Sequence, residues 1–181
     1  MKQTTRDMPT QVSFAKPLIG EESNPGAGGK NNEDALAHFS LPGNDGAPFG
    51  YVGIVADGIG EHQAGEQAST SVVQMVKSAL LGSSAGDISS QMIAAIKRAS
   101  QELYDKAATN PAWQGMGTTV AVAAILDSRI KPDVEVERRA VEELQPGDSI
   151  LLCSDGLTDQ VMDEEIKSSV LKNRPQAAVK Q

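Results

Sequence analysis

Three short stretches of this sequence place acids where chemistry is possible: Asn32-Glu33-Asp34, Asp57-Gly58 and Asp155-Gly156. Two of them close apolar runs, Tyr51 to Ala56 and Ser149 to Cys153, so each aspartate is expected at the exit of a buried strand. Carboxylates that converge at the ends of neighbouring strands repel one another, and a cation is their simplest compensation. Hard oxygen ligands, in a chain with one cysteine and no suitable histidine pair, select magnesium or manganese over zinc. Two such metals about 3.5 to 4 Å apart would hold and deprotonate a bridging water and clamp a phosphoryl group for in-line attack. The chemistry expected is phosphate ester hydrolysis. The bland alternative is that Asp57 only starts a turn, since Asp and Gly are common turn residues.

The elements that must position these acids follow from hydrophobic periodicity. Residues 35 to 41 alternate weakly and are expected to pair with Tyr51 to Ala56 across the loop PGNDGAPFG. That hairpin puts Asp34 at the start of one strand and Asp57 at the end of its antiparallel neighbour, so the two carboxylates meet at one edge. Asp57-Gly58-Ile59-Gly60 reads as a tight turn needing glycine's backbone freedom, and a helix follows from Gly65 to Leu81, ending at Gly82. Its apolar face is Ala68, Val72, Met75, Val76, Ala79 and Leu80. A second helix starts at the N-cap Asp87, with a stripe of Ile88, Met92, Ile96, Ala99, Leu103 and Ala107 in which the methionines are core filler.

Thr118 to Leu126 reads as a strand buried on both faces, and residues 133 to 141 as a half-exposed strand with a solvated charged face. Gln145-Pro146-Gly147-Asp148 carries the signature of a type II turn leading into a buried strand at Ser149 to Cys153. A third helix is expected from Asp163, with Ile166, Val170 and Leu171 inward, before a loose tail NRPQAAVKQ. His38 in its strand and His62 in the turn are expected to be structural or solvent-facing, since neither has a second histidine at zinc spacing.

Composition narrows the function classes. The 181 residues fit one domain, 39% apolar, with a net charge of −8 and a pI near 4.7. No run of Lys and Arg could neutralise a phosphate backbone, so nucleic acid is excluded as a partner. The N-terminus lacks the apolar core of a signal peptide and no run is long enough to span a membrane, so a cytoplasmic protein with no membrane partner is expected. The single Cys153 forms no internal disulfide. Gly29-Lys30 lacks the spacing and the hydroxyl residue of a phosphate-binding loop.

The segments NNEDA, VADGIGEHQAGEQAS, GMGTTVAVAAI and PGDSILLCSDGLTDQVMDEEI resemble the metal-dependent serine/threonine protein phosphatases of type 2C, especially bacterial ones. The resemblance implies an α/β, or α+β, fold: a four-layer α-β-β-α sandwich of two antiparallel sheets flanked by helices, here incomplete. It implies two Mg2+ or Mn2+ ions, with Asp57 as bridging ligand, Gly58 lending its backbone carbonyl, and Asp155 holding one metal. Glu33 and Asp34 would hold metal-bound waters, with Asp34 also a candidate ligand. Lys30 is the nearest cation to the place of the family's phosphate-binding arginine and would act as a point charge. Judged against the family, an internal segment near residues 127–132 and the C-terminal end are absent, and Asp127-Ser128-Arg129 reads as a hairpin turn. The implied layout is an N-terminal strand and loop at 1–29, a phosphatase-like domain at 30–174 and a tail at 175–181. The implied substrates are phosphorylated proteins, with a serine/threonine kinase as a further partner. Missing strands would leave sheet edges unpaired, which favours self-association.

Two other readings bear on the same residues. Gly58-Ile59-Gly60 suits a dinucleotide-binding turn, but that fingerprint wants its next glycine at Gln63. A phosphatase-like fold that binds or regulates partners without turnover is the alternative within the family. A cysteine-dependent phosphatase is excluded, because Cys153 is followed by SDGLTDQ, with no arginine to hold phosphate, and lies in an apolar strand where thiols are inert.

Overall fold

The structure is a computed structural model that describes residues 16–26, 31–43, 46–60, 64–83, 87–126 and 144–180. Strands β1 (Asp34–Pro42) and β2 (Pro48–Ile59) form the expected antiparallel hairpin, with Asp34 paired to Asp57 and Leu41 to Gly50. The register shifts only between Leu41 and Pro42, beside the connecting loop. Gly43 N–H closes that loop on the Ala47 carbonyl at 2.9 Å, and Gly46 takes a φ of 84° that suits glycine.

The Asp57-Gly58-Ile59 stretch is not a turn. It continues β2, because β3 (Gly117–Thr118) pairs with Gly58 and Ile59 and extends the ladder. Glycine is needed at 58 for close approach: a Cβ there would run into the Gly65 carbonyl and lie 2.8 Å from the carbonyl oxygen of Glu33. Strand β4 (Ala121–Leu126) follows β3 along the same side of β2, since Gly58↔Thr118 and Val55↔Ala121 keep one register. The sheet is therefore antiparallel, with β2 at its centre.

Alternation along β2 sends Val52, Ile54 and Ala56 to one face, where helices α1 (Ala64–Leu81) and α2 (Ile88–Thr109) cover them. Helix α1 buries Ala68, Val72, Val76 and Leu80 as its spacing requires, and also Val73 and Ser69; Ala79 turns out to be exposed. Helix α2 starts as expected, with Asp87 accepting from Ser89 N–H at 3.1 Å and from Ser90 Oγ at 2.5 Å. Ile88, Ala99 and Leu103 are buried, and Met92 and Ile96 pack against the core. This mixed α/β arrangement, an antiparallel sheet with helices, is the fold class expected.

Other expectations are corrected. Residues Ala121 to Leu126 are only half-buried, because the helices cover one face of β4 and not the other. Ser149 to Cys153 is irregular chain with no ladder partner among the described residues, and Ile150 and Leu151 are exposed. Cys153 is thus half-buried in irregular chain, not inside a strand. Leu152 Cδ1 comes within 3.0 Å of where a Gly53 Cβ would be, so this segment lies on the sheet face opposite the helices. A short helix α3 (Asp155–Thr158) follows, then α4 (Asp163–Lys172), on which Ile166 and Val170 are half-buried but Leu171 is exposed. The tail contains helix α5 (Pro175–Ala178), whose backbone packs against Gly20. Gln145 to Asp148 is a turn with Gly147 at φ 104°, as its sequence requires. Residues 1–15 of the expected N-terminal strand and loop, His62, the turn at 127–129 and the strand at 133–141 lie outside the described residues. Among the described residues no helix is long and apolar enough to cross a membrane.

Candidate active site

The hairpin register alone sets Asp34 opposite Asp57, and two more contacts complete the corner. Ser154 Oγ donates to Asp34 Oδ2 at 2.7 Å, which brings the Asp155 segment alongside. The Asp57 carboxyl is raised from its ordinary 3.8 to about 6. Burial is the largest cause, followed by the charge of Asp34, a hydrogen bond with Asp155 and its charge, and last the charge of Glu33. Four acids spread over positions 33 to 155 thus share one neighbourhood. Among the described residues, however, no group of three or more His, Cys, Asp or Glu side chains is arranged to hold a metal ion. Asp57 feels the charges of Asp34, Asp155 and Glu33, and the Ser154 hydroxyl ties the Asp155 segment to Asp34, but the carboxylates do not enclose a common centre. By chemistry the donor set, all hard oxygen, suits a divalent cation.

The backbone behind these acids is tightly fixed. The Glu33 carbonyl accepts from Gly58 N–H at 3.1 Å and from Ser69 Oγ at 2.6 Å. Ser69 is fully buried, so helix α1 is bolted to the acid-bearing loop. The Glu33 carboxylate lies over Gly65, where a Cβ would stand 2.7 Å from its Cδ. On the other side, Thr118 Oγ1 and Thr119 N–H both donate to the Asp57 carbonyl at 2.9 Å. Asp57 N–H donates to Thr119 Oγ1 at 3.3 Å. Gly58, expected to lend a carbonyl, sits at the centre of this framework. His38, expected to be structural or solvent-facing, is exposed and pairs with Glu21 at 2.8 Å.

Glu33, Asp34, Asp57, Gly58 and Asp155 are therefore brought together, while Lys30 lies outside the described residues. Sequence reasoning missed the hydroxyls of Ser69, Thr118, Thr119 and Ser154. Their signal was adjacency: Thr118 and Thr119 precede an apolar strand, and Ser154 precedes an Asp-Gly pair. A cavity of 670 Å3 opens elsewhere, between α1, α2 and β3, lined by apolar residues such as Val72, Ile96, Leu103, Met116 and Val120. It has no acid in its wall and is not the site of this chemistry.

The model of the protein phosphatase 2C family matches residues 26–131, more than half of the chain. The chain belongs to the protein phosphatase 2C family. Asp34 and Asp57 lie within that match and Asp155 beyond it. Among solved structures, the serine/threonine phosphatase Stp1 from Staphylococcus aureus is 25% identical, over 64% of this chain and 47% of that one, with a TM-score of 0.51. A bacterial serine phosphatase, solved as an arginine-to-glutamate mutant, is 22% identical over 92% and 90%, at 0.70. The Mycobacterium tuberculosis phosphatase PstP/Ppp is 20% identical over 87% and 86%, at 0.60. These last two establish likeness of fold. The chain spans less than half the length of the staphylococcal structure, and 41% of a Streptococcus agalactiae serine/threonine phosphatase. No curated protein matched the chain. Members of the protein phosphatase 2C family are metal-dependent, and the acids assembled here are of the type such a reaction needs.

Proposed function

We propose that this protein hydrolyses phosphoserine and phosphothreonine on proteins in a reaction that depends on Mg2+ or Mn2+. The observation that carries the reading is the meeting of Asp34, Asp57 and Asp155 at one end of β2, with Asp57 raised to about 6. Three carboxylates held together at a cost in repulsion fit a site that takes up positive charge. Asp57, Asp155 and Asp34, with the Gly58 carbonyl, would hold two divalent cations, which when bound supply an activated water and charge neutralisation at phosphorus. Glu33 and Asp34 would accept hydrogen bonds from water in the site and orient it. Lys30 would offer a point charge to the phosphate. The substrates would be the products of a serine/threonine kinase.

The test is hydrolysis of p-nitrophenyl phosphate by the full chain, with and without Mn2+, repeated on Asp57→Asn. We expect metal-dependent turnover that the substitution lowers by more than about 100-fold, because a lost ligand costs more than the 10 to 100-fold of a lost supporting group. Metal uptake without turnover in the unaltered chain would instead support a phosphatase-like protein that binds phosphorylated partners. Failure of the chain to take up metal at all would sink the reading.

A further inference from the structure

Residues 16–26 form no helix or strand, yet the stretch from Gly20 to Ser23 is tied to three different parts of the molecule. Gly20 lies so close on α5 that a Cβ there would run into the Pro175 carbonyl group. The Glu21 carbonyl accepts from Gln176 Nε2 at 3.2 Å, while the Glu21 carboxylate meets His38 Nδ1 on β1 at 2.8 Å. Ser23 Oγ accepts from Asn32 Nδ2 at 2.7 Å, and Asn32 Oδ1 in turn accepts from Asp34 N–H at 3.1 Å. One short stretch therefore joins the C-terminal helices to β1 and to the loop that leads into Asp34.

We propose that Gly20 to Ser23 act as a clasp that opens and closes the acid corner. Closed, it seats residues 144–180 on the sheet and so delivers Asp155 to Asp57; open, it releases that unit while the hairpin, α1 and α2 stay folded. The physical basis is how little else holds the unit. No residue between 144 and 180 is fully buried, and Ile150, Leu151, Met162 and Leu171 are exposed, so hydrophobic burial contributes little to its docking. The buried core, by contrast, is built from the hairpin, α1 and α2 and takes no residue from the unit. Parts of a protein with few buried contacts and exposed hydrogen bonds open at lower cost than its core, and the clasp's own side-chain bonds are exposed. Two attachments thus share the load: the clasp on α5, and the contacts of Leu152 and Ser154 beside Asp155. Loosening the first weakens the second, because both fix the same unit to the same sheet. The inference concerns how the corner is assembled, and it stands or falls separately from the proposed function.

The experiment follows backbone hydrogen exchange by mass spectrometry in the full chain, unaltered and as Gly20→Val and Gln176→Ala, together with the rate at which N-ethylmaleimide labels Cys153. Cys153 is the single cysteine and stands between Leu152 and Ser154, far along the chain from either substitution, so its labelling reports release of the Asp155 end. Helix α4 has 10 residues, fewer than the about 12 to 15 that an isolated helix needs in water, so a released unit also loses amide protection. Overpacking a close backbone contact should speed both readouts about 10-fold in Gly20→Val. Loss of one exposed hydrogen bond should speed them about threefold in Gln176→Ala, which carries the test if the valine variant does not fold. Exchange in residues 51–59 and 64–81 should be unchanged. Faster exchange confined to 175–180, with Cys153 labelled at the unaltered rate, would overturn the clasp by showing that α5 frays alone. Unchanged exchange throughout, or an equal rise in residues 51–59 and 64–81, would overturn it as well.

Discussion

Asp57 carries the main tension at the residue scale. In the folded chain it holds its proton to about pH 6, against an ordinary value of 3.8. Between those values the folded state binds more protons than the unfolded one, so this group's contribution to stability grows as pH falls through 6 and is complete below 3.8. Above pH 6 that contribution is lost. Asparagine cannot ionise, so metal-free Asp57→Asn should melt higher than the unaltered chain at pH 7.5, by about 2 to 4 degrees, the burden being reduced because the group is partly screened by water. The gap should shrink as pH is lowered from 6 towards 4. Differential scanning fluorimetry at four pH values checks this, and a gap independent of pH would mean that the acids do not feel one another. Gly58 offers a steric test at the same scale. A methyl group at that position would be driven into the Gly65 backbone, so Gly58→Ala should cost about 3 kcal/mol or more in urea unfolding, the upper range for overpacking.

At the scale of elements, the two helices carry the stability that the strands need. Leu80 is 1% exposed in the centre of the core, and Leu80→Ala should cost about 2 to 5 kcal/mol by chemical denaturation. Asp87→Ala removes the cap of α2 and should cost about 1 kcal/mol. These elements were legible because their signals are local: a 3.6-residue period, a cap, a glycine stop, and a hairpin whose two alternating runs fix their own register. The pairing of Asp34 with Asp57 followed from that register, so the facing of these two carboxylates was legible in the sequence. What could not be read depends on partners distant in sequence. β2 runs through Asp57-Gly58 only because β3 arrives from position 117, and Gly58 owes its identity to Gly65 and Glu33, not to a turn. Ser149 to Cys153 had the composition of a buried strand, but composition cannot supply the neighbouring strand that a ladder requires. The hydroxyl ties of Ser69 and Ser154 were hidden for the same reason, since small polar residues give no periodic signal.

For the whole molecule, the described parts differ in how firmly they are held. The hairpin, α1 and α2 share one core, whereas α4 buries no residue. Among the described residues, 144–180 meet the rest at Leu152 on Gly53, Ser154 on Asp34, Asp155 near Asp57, and α5 against Gly20, with Gln176 Nε2 donating to the Glu21 carbonyl at 3.2 Å. Among the described residues, β1 and β4 each pair on one side only, and β4 carries the uncharged sequence AVAAIL, with none of the lysines or prolines that protect an edge. We expect the chain to self-associate as its concentration rises, and Ala123→Lys, at mid-strand, to reduce that association. Light scattering over a hundredfold range of concentration, with a constant monomer mass as the contrary result, decides this.

The single slip in the hairpin ladder, between Leu41 and Pro42, lies at the opposite end of the strands from the acids. An irregularity there takes up changes in loop length before they reach the paired rungs. The stretch from Gly43 to Ala47 should therefore accept a foreign peptide, such as an affinity tag or a fluorophore-binding sequence, while the two carboxylates at the far end keep their alignment. The molecule thus has a natural place for a reporter, well removed from its chemistry.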